Sequence, residues 1–278
     1  MDIATLNQAV TDLKWHYGSS RRSQTLKVNG YPEIIFPSTA QGGDAPQHEK
    51  WIRRRHQHGK IHEPATIAAL AAVVPGLPPT GDVFDIGALY GYFALVAASM
   101  LPEAPIHAFE ANPTSFDVMV INFAANPKLN PSRLQPRQLA VSDAPSEHVQ
   151  VDIRGLTLVE NQGESTMDFT SVDYYTEQHD AHPSLLKIDV EGFQAKVLPG
   201  AMGVVAKFRP VVLLEFDKPE KLARFGTSNK ELLIPFADLG YHLYWTASHR
   251  ELLPFHEVKV ADMGPEHETN SLGVLIPD

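Results

Sequence analysis

Short apolar runs of strand length alternate with longer apolar or alanine-rich segments of helix length over most of the chain. This alternation is typical of an α/β protein with a mostly parallel sheet. The runs predicted as strands are Val83–Asp85, Pro105–Glu110, Arg133–Val141, Leu185–Asp189, Pro210–Glu215, Tyr241–Trp245 and Asn270–Ile276. The segments predicted as helices are Ala65–Val74, Phe93–Leu101, Ser115–Ala125, Ala195–Lys207 and Asn229–Leu239.

The first predicted strand runs into a turn that contains two glycines and then into an apolar helix. Gly87 allows a backbone conformation that a residue with a Cβ disfavours, and Gly91 allows a ligand or the strand to come close to the helix start. The free amides of such a turn suit the polar groups of a nucleotide-like ligand. The turn alone is a weak signal, because many loops contain two glycines.

The second predicted strand ends in an acid, Glu110, about 20 residues after the turn, where a carboxylate can accept hydrogen bonds from both hydroxyls of a ribose. The turn lacks the third glycine of a dinucleotide fold, and the bulky Leu89 argues against a pyrophosphate lying on it. Asp85, at the tip of the first strand, is placed to hold a cationic amino group or to order the loop. An adenosine that carries an amino-acid tail would use both acids.

Acids also follow the fourth and fifth predicted strands. Ligands of a doubly wound sheet bind beyond the carboxyl ends of the strands, so Asp189 and Glu191 are expected to face the bound molecules. Two neighbouring carboxylates can hold a divalent cation, orient a hydroxyl or act as a base. Glu215 is expected to form a wall of an acceptor pocket, with a surface salt bridge as the alternative. Lys187 is expected to pair with an acid.

Five blocks of the sequence, in order and spacing, resemble the FkbM family of S-adenosylmethionine-dependent methyltransferases. They are Phe84–Gly91, Ala108–Pro113, Ala140–Asp143, Leu185–Gly192 and Pro210–Glu215, and the resemblance covers about residues 62–247. The chain departs from the family pattern at Leu89, where asparagine is common, and at Phe193. The resemblance implies a Rossmann-like sheet of seven mostly parallel strands with helices on both faces. Its last strand would run antiparallel between the fifth and sixth.

The resemblance also implies roles for individual residues. Glu63, at the start of a helix, would touch the cofactor, although an acid there is also favoured by the helix dipole. Ser142 and Asp143 would lie at the adenine edge, although a polar pair is also common in turns. The predicted cofactor-binding residues are Glu63, Asp85, Gly87, Gly91, Tyr92, Glu110, Ala111, Asn112, Ser142, Asp143 and Asp189. The predicted catalytic residues are Asp189, Glu191 and Glu215.

The first 60 residues lack this alternation. A helix over Leu6–Tyr17, a hairpin around Asn29–Gly30 and a polar loop over Ser38–Pro46 are predicted there. We therefore divide the chain into an N-terminal extension or cap, residues 1–60, and a methyltransferase domain, residues 61–278. Residues 147–172 alternate weakly and predict an inserted β-hairpin near the active face.

Composition limits the classes of binding partner and the cellular compartment that are expected. The 278 residues carry a formal net charge of −10, which disfavours a general nucleic-acid binder, and contain no cysteine, which excludes disulfides and thiolate chemistry. No signal peptide or membrane-spanning run is recognisable, so a cytoplasmic protein is expected. We interpret the basic run Trp51–Lys60 as a solvent-exposed face. Binding of an anionic group of the substrate is the second interpretation.

The leading hypothesis is an O-methyltransferase that uses S-adenosylmethionine and acts on a saccharide or a natural product. Because a sugar hydroxyl has a high pKa, a base or a divalent metal must assist, and no single one of the 13 histidines stands out as the base. The alternatives are a nucleotide-linked oxidoreductase and a binding protein that keeps the fold without catalysis. The acceptor, the metal requirement and the oligomeric state stay open.

Overall fold

The computed structural model describes residues 1–38, 46–154, 157–160 and 163–278. Its α-helices are α1 Ile3–Asp12, α2 Gln47–His56, α3 Pro64–Val73, α4 Tyr92–Met100, α5 Pro113–Ala124, α6 Val172–Gln178, α7 Gln194–Val197, α8 Met202–Phe208, α9 Pro219–Ala223 and α10 Asn229–Asp238. Its strands are β1 Trp15–Ser19, β2 Ser23–Val28, β3 Ile34–Pro37, β4 Asp82–Ile86, β5 Ile106–Phe109, β6 Leu134–Arg137, β7 Ala140–Val141, β8 Ser146–Arg154, β9 Thr157–Glu160, β10 Ser165–Thr170, β11 Pro183–Ile188, β12 Val211–Phe216, β13 Tyr241–Thr246, β14 His256–Val258 and β15 Ser271–Pro277.

A central sheet with the strand order β14-β13-β15-β12-β11-β4-β5-β6 organises the molecule. The neighbours from β12 to β6 pair in parallel, and β15 lies antiparallel between β12 and β13. The predicted α/β class and the placement of the last strand are therefore confirmed. The short edge strand β14 adds an eighth member to the seven strands predicted.

The central strands are hydrophobic on both faces because helices cover both faces of the sheet. Every residue of β4, β5 and β11 is buried, which explains why these strands are continuous apolar runs rather than alternating ones. Helix α4 has no polar face, since all nine of its residues are buried. Helix α5 begins where the Asn112 side chain accepts a hydrogen bond from the Ser115 amide and Pro113 occupies the first turn.

The N-terminal part forms a second, three-stranded antiparallel sheet, β1-β2-β3. The hairpin predicted around Asn29–Gly30 is confirmed, because β2 and β3 flank these residues and pair antiparallel. The predicted helix over Leu6–Tyr17 is wrong beyond residue 12. Trp15–Ser19 is a strand, because pairing with β2 gives its backbone hydrogen-bond partners that override the local helix pattern.

The predicted insertion over residues 147–172 is a third sheet, of order β7-β10-β8-β9. Strand β8 pairs antiparallel with both β9 and β10, and Val151 of β8 and Phe169 of β10 are buried. Most of the predicted loop Ser38–Pro46, and Gly155 of the insertion, lie outside the described residues. No helix in the described ranges is long and apolar enough to cross a membrane.

Candidate active site

A cleft with about 780 Å³ of empty space, including its opening to solvent, lies beyond the carboxyl ends of β4, β5 and β11. This is the edge where ligands of doubly wound sheets bind. The predicted site residues that line it are Gly87, Glu110, Ala111, Asn112, Asp189 and Glu191. The cleft is lined further by Ile86, Leu89, Phe109, Leu139, Ala140, Val141, Ile153, Val190 and Phe193.

Glu110 is held in one orientation by two backbone amides. The Leu89 amide donates to its Oε2 at 2.7 Å, and the Asn112 amide donates to its Oε1 at 2.7 Å. Burial raises the pKa of Glu110 to about 7, although both amide hydrogen bonds oppose the shift. Each oxygen keeps a second lone pair, so the fixed carboxylate can accept from two neighbouring hydroxyls. This is the geometry that the sequence predicts for a ribose contact.

The turn after β4 packs directly against the loop after β11. Gly87 has φ +83°, and a Cβ there would collide with the carbonyl oxygen of Asp189, so only glycine fits. Lys187 lies between two acids, with its Nζ 3.3 Å from Asp85 Oδ1 and 3.4 Å from Asp189 Oδ2. Burial disfavours the charged ammonium, but these two carboxylates outweigh it and raise the pKa of Lys187. The expected pairing of Lys187 is therefore present, and Asp85 lies under the cleft as its counter-ion.

Glu191 lines the cleft but already has a cationic partner. Its carboxylate pairs with the Lys221 ammonium, which also pairs with the buried Asp217. Asp217 in turn accepts a hydrogen bond from the Gly192 amide at 2.6 Å. These contacts hold the backbone of Glu191 at φ +53°, a conformation that is unusual for a residue with a Cβ. The network fixes the loop after β11.

A second acidic group lies beside Asp189. Glu63, Glu215 and His249 place one ligand atom each within 4.8 Å of one another. Burial, and then the nearby charge of Asp189, raise the pKa of Glu63 to about 8, and the same two causes raise the pKa of Glu215 well above its ordinary value. Burial lowers the pKa of His249 to about 4, so its imidazole is neutral at physiological pH. Asp189 thus connects the cleft with a largely buried polar cluster.

Six predicted cofactor-binding residues do not line the cleft: Glu63 and Asp85, described above, and Gly91, Tyr92, Ser142 and Asp143. Gly91 has φ +74° and packs against Phe123 of α5, which leaves no room for a Cβ. Tyr92 is buried, and its hydroxyl contacts His56 Nε2 at 2.9 Å. Ser142 is buried and bonds to Asp143, which pairs with Lys196 at 2.9 Å.

Sequence reasoning missed the apolar lining and His249. Leu139, Ile153 and Phe193 reach the cleft from a loop, the inserted sheet and the segment before α7, so no local pattern joins them. The sequence marked Phe193 only as a departure from the family pattern. His249 lies in the loop after β13, and no motif distinguishes it from the other histidines.

The model of the family described as "Methyltransferase FkbM domain" matches residues 85–243, more than half of the chain. No curated protein matches the sequence. Among solved structures, methyltransferase FkbM from Methylobacillus flagellatus is 12% identical with a TM-score of 0.47, and the alignment covers 77% of this chain and 54% of that protein. This chain therefore spans about half the length of that relative.

An O-methyltransferase from Bacillus cereus in complex with SAH is 13% identical with a TM-score of 0.46, over 83% of this chain and 88% of that one. A putative O-methyltransferase from Klebsiella pneumoniae is 12% identical with a TM-score of 0.45, over 86% and 92%. These likenesses are distant, and the family match carries the assignment. The chain belongs to the FkbM family of S-adenosylmethionine-dependent methyltransferases.

Proposed function

We propose that the protein transfers a methyl group from S-adenosylmethionine to a hydroxyl of a saccharide or a hydroxylated natural product. The observation that carries this proposal is the placement of Glu110 and Asp189 in one cleft, beyond the ends of two different strands. An orienting acid for the ribose and an acid for the acceptor are the two groups that this reaction needs. The nucleotide-linked oxidoreductase is disfavoured by the family match and by the missing third glycine.

The cofactor is proposed to bind with its ribose hydroxyls on Glu110 and its adenine among the apolar residues Leu139, Ile153 and Phe193. The contact of Ser142 and Asp143 with the adenine edge stays a prediction from the sequence. It is not favoured by the structure, because these side chains bond to each other and Asp143 pairs with Lys196. The amino-acid tail then extends along the turn at Gly87 and brings the sulfonium methyl near Asp189. Because Lys187 neutralises Asp85, that acid is proposed to order the loop.

The acceptor is proposed to approach Asp189 from the side of Glu63 and Glu215. Carboxylate oxygens accept hydrogen bonds from hydroxyls, so this wall suits a polyhydroxylated molecule. Asp189 orients the hydroxyl and accepts its proton as the oxygen attacks the methyl carbon. A C–O bond forms, the C–S bond breaks, and its electron pair stays on sulfur, which leaves S-adenosylhomocysteine. Glu191 is proposed to shape the cleft rather than to take the proton, because it pairs closely with Lys221, whereas the Lys187 ammonium lies 3.4 Å from Asp189 and is shared with Asp85.

The first experiment separates cofactor binding from turnover. Calorimetric titration with S-adenosylhomocysteine and with NAD should show binding of the first alone, and Glu110→Ala should lose it. Methyl transfer from tritiated S-adenosylmethionine is then measured on a panel of hexoses, deoxyhexoses and hydroxylated macrolides. NAD binding, or transfer of the label to an amine, would overturn the proposal.

Asp189→Asn tests the assigned proton acceptor. This variant should bind S-adenosylhomocysteine like the unmodified protein but lose about 10²–10⁴-fold in turnover, the usual contribution of a positioned base. Asp117→Asn, on the exposed face of α5, is the matched control and should change neither value. Unchanged turnover in Asp189→Asn would assign the proton to another group.

A further inference from the structure

Glu63, Glu215 and His249 converge from three distant parts of the chain. Glu63 precedes α3, Glu215 is near the end of β12, and His249 lies in the loop after β13. Their nearest ligand atoms all lie within 4.8 Å of one another. The exposed fraction is 6% for Glu63, 1% for His249 and 11% for the Glu215 side chain. Two carboxylates and one imidazole facing a common point, away from bulk water, form a donor set for a metal ion.

Neither carboxylate of this cluster has a cationic partner in direct contact. Within 4 Å, the ion-pair contacts in the described ranges are with histidines only, Glu63 with His62 at 3.1 Å and Glu215 with His249 at 3.6 Å. Lys187, the buried ammonium nearby, contacts Asp85 and Asp189 instead. Buried carboxylates without a direct cationic partner are costly unless they take up a proton or bind a cation.

The hydrogen bond to His249 fixes its tautomer in the form that a metal requires. The Arg250 Nε–H donates to His249 Nε2 at 2.8 Å, so Nε2 carries a lone pair and the ring hydrogen is on Nδ1. The same Nε2 atom is the one 3.6 Å from Glu215. The Arg250 side chain is exposed, so its guanidinium can leave for solvent at little cost. The positively charged Arg250 guanidinium therefore hydrogen-bonds to the same His249 Nε2 lone pair that would bind a metal ion.

We propose that Glu63, Glu215 and His249 bind one divalent transition-metal ion, and that Arg250 competes with this ion for His249. Mixed imidazole and carboxylate donors suit Mn²⁺, Fe²⁺ or Zn²⁺ better than Mg²⁺ or Ca²⁺, which prefer oxygen ligands alone. Three protein ligands leave coordination positions for the acceptor oxygen. The role of the ion rests on the proposed function: it would polarise the acceptor hydroxyl beside Asp189, which takes the proton.

The test uses Mn²⁺ and Zn²⁺ on the full chain after treatment with a chelator. Calorimetry, and for Mn²⁺ electron paramagnetic resonance, should show one site with a Kd below about 100 μM. Glu215→Gln and His249→Ala should each weaken binding by about 10-fold or more, because each removes a ligand. Glu251→Gln, which changes an exposed acid close to His249 in sequence, is the control and should have no effect.

Arg250→Gln distinguishes a specific metal site from non-specific attraction of cations to the acidic side chains. Removing the competing guanidinium should tighten Mn²⁺ binding by about 3- to 10-fold. Absence of binding in both the unmodified protein and Arg250→Gln would overturn the proposal, as would binding that Glu215→Gln leaves unchanged.

Titration with S-adenosylhomocysteine on the same samples checks that each variant is folded. It also separates the two proposals. Intact S-adenosylhomocysteine binding without a metal site overturns the metal proposal alone. A metal site that responds to the variants, in a protein that does not bind S-adenosylhomocysteine, supports the metal proposal and overturns the cofactor assignment.

Discussion

Glu110 shows how one residue meets two opposing demands. The carboxylate that we propose to bind two ribose hydroxyls is shielded from water, and burial disfavours its charged form and raises its pKa to about 7. The amides of Leu89 and Asn112 offset part of this cost, and Leu89 adopts φ +50° in doing so. The site thus keeps a group that is only partly ionised at neutral pH.

The affinity for S-adenosylhomocysteine should therefore depend on pH. If the ionised carboxylate binds the ribose, affinity should fall about 10-fold between pH 8 and pH 6, as the group protonates through a pKa of about 7. Calorimetry at half-unit steps measures this profile. Glu110→Gln should bind about 10- to 100-fold more weakly at pH 8, and its affinity should not follow this profile. A flat profile for the unmodified protein would show that the charge of Glu110 does not contribute.

The same substitution should change how the stability of the ligand-free protein depends on pH. The folded state binds a proton at Glu110 more tightly than the unfolded state, whose ordinary pKa is 4.5, so this group makes folding less favourable as the pH rises from about 4.5 to 7. Glu110→Gln removes that pH-dependent cost but replaces one acceptor oxygen with an NH2 group that faces a backbone amide. Its free energy of unfolding relative to the unmodified protein should therefore rise by about 1–3 kcal/mol from pH 5 to pH 8. Urea denaturation of both proteins gives the difference, and Glu103→Gln, which alters an exposed acid, is the control. A gain that is larger at pH 5 would contradict the assignment.

At the scale of elements, Asn126 joins the N-terminal sheet to the main domain. This residue follows α5, and its buried side chain makes two hydrogen bonds of 2.7 Å with the backbone of Ile35 in β3, one as acceptor and one as donor. It completes the edge of β3 as a neighbouring strand would. The two residues are 91 positions apart in the sequence, so loss of the contact should destabilise both the N-terminal sheet and the main domain.

Asn126→Ala should cost about 1–2 kcal/mol in unfolding free energy, because the partly buried N–H and C=O of Ile35 lose their partner. Hydrogen exchange followed by mass spectrometry should show faster exchange across β2 and β3. Lys128→Ala, two residues further and exposed, should alter neither. Equal exchange in both variants would mean that β3 is held by its packing alone.

Local signals predicted most of the elements around the cleft. The single strand predicted over Arg133–Val141 is wrong beyond Arg137, because Ala140–Val141 pairs with β10 in the inserted sheet. The β4–α4 turn and Glu110 follow from strand ends, glycines and one acid, all within about 30 residues. The walls of the cleft could not be predicted in this way. Ile153 and Phe193 meet there only because the inserted sheet folds back, and His249 reaches Glu63 only because β13 lies near the far edge of the sheet. The predicted helix Leu6–Tyr17 runs wrongly into β1, because the pairing of β1 with β2 is not a local property.

At the scale of the whole molecule, one hydrophobic core crosses the boundary predicted at residue 60. Leu6, Leu26, Ile34 and Phe36 are at most 2% exposed and belong to the same cluster as the side chains of α3 and α4. The Tyr92 hydroxyl contacts His56, and its ring stacks on Phe36 at 5.7 Å. The N-terminal residues therefore cover the face of α4 that lies away from the sheet. The division of the chain at residue 60 stays a prediction, which measurements of stability can test.

A matched pair on β2 tests whether residues 1–60 are a separable cap. Leu26 is fully buried and Lys27 is exposed, so Leu26→Ala should lower the unfolding free energy of the whole chain by about 2–4 kcal/mol, while Lys27→Ala should change it by less than about 0.5 kcal/mol. Both variants should melt in one transition if the core is shared, and a chain of residues 61–278 alone should give no cooperative melt. Two separate transitions in Leu26→Ala, or a cooperative melt of residues 61–278, would instead show a cap that folds apart from the methyltransferase domain. The affinity for S-adenosylhomocysteine, measured on the same samples, then tells whether the cleft needs that cover to form.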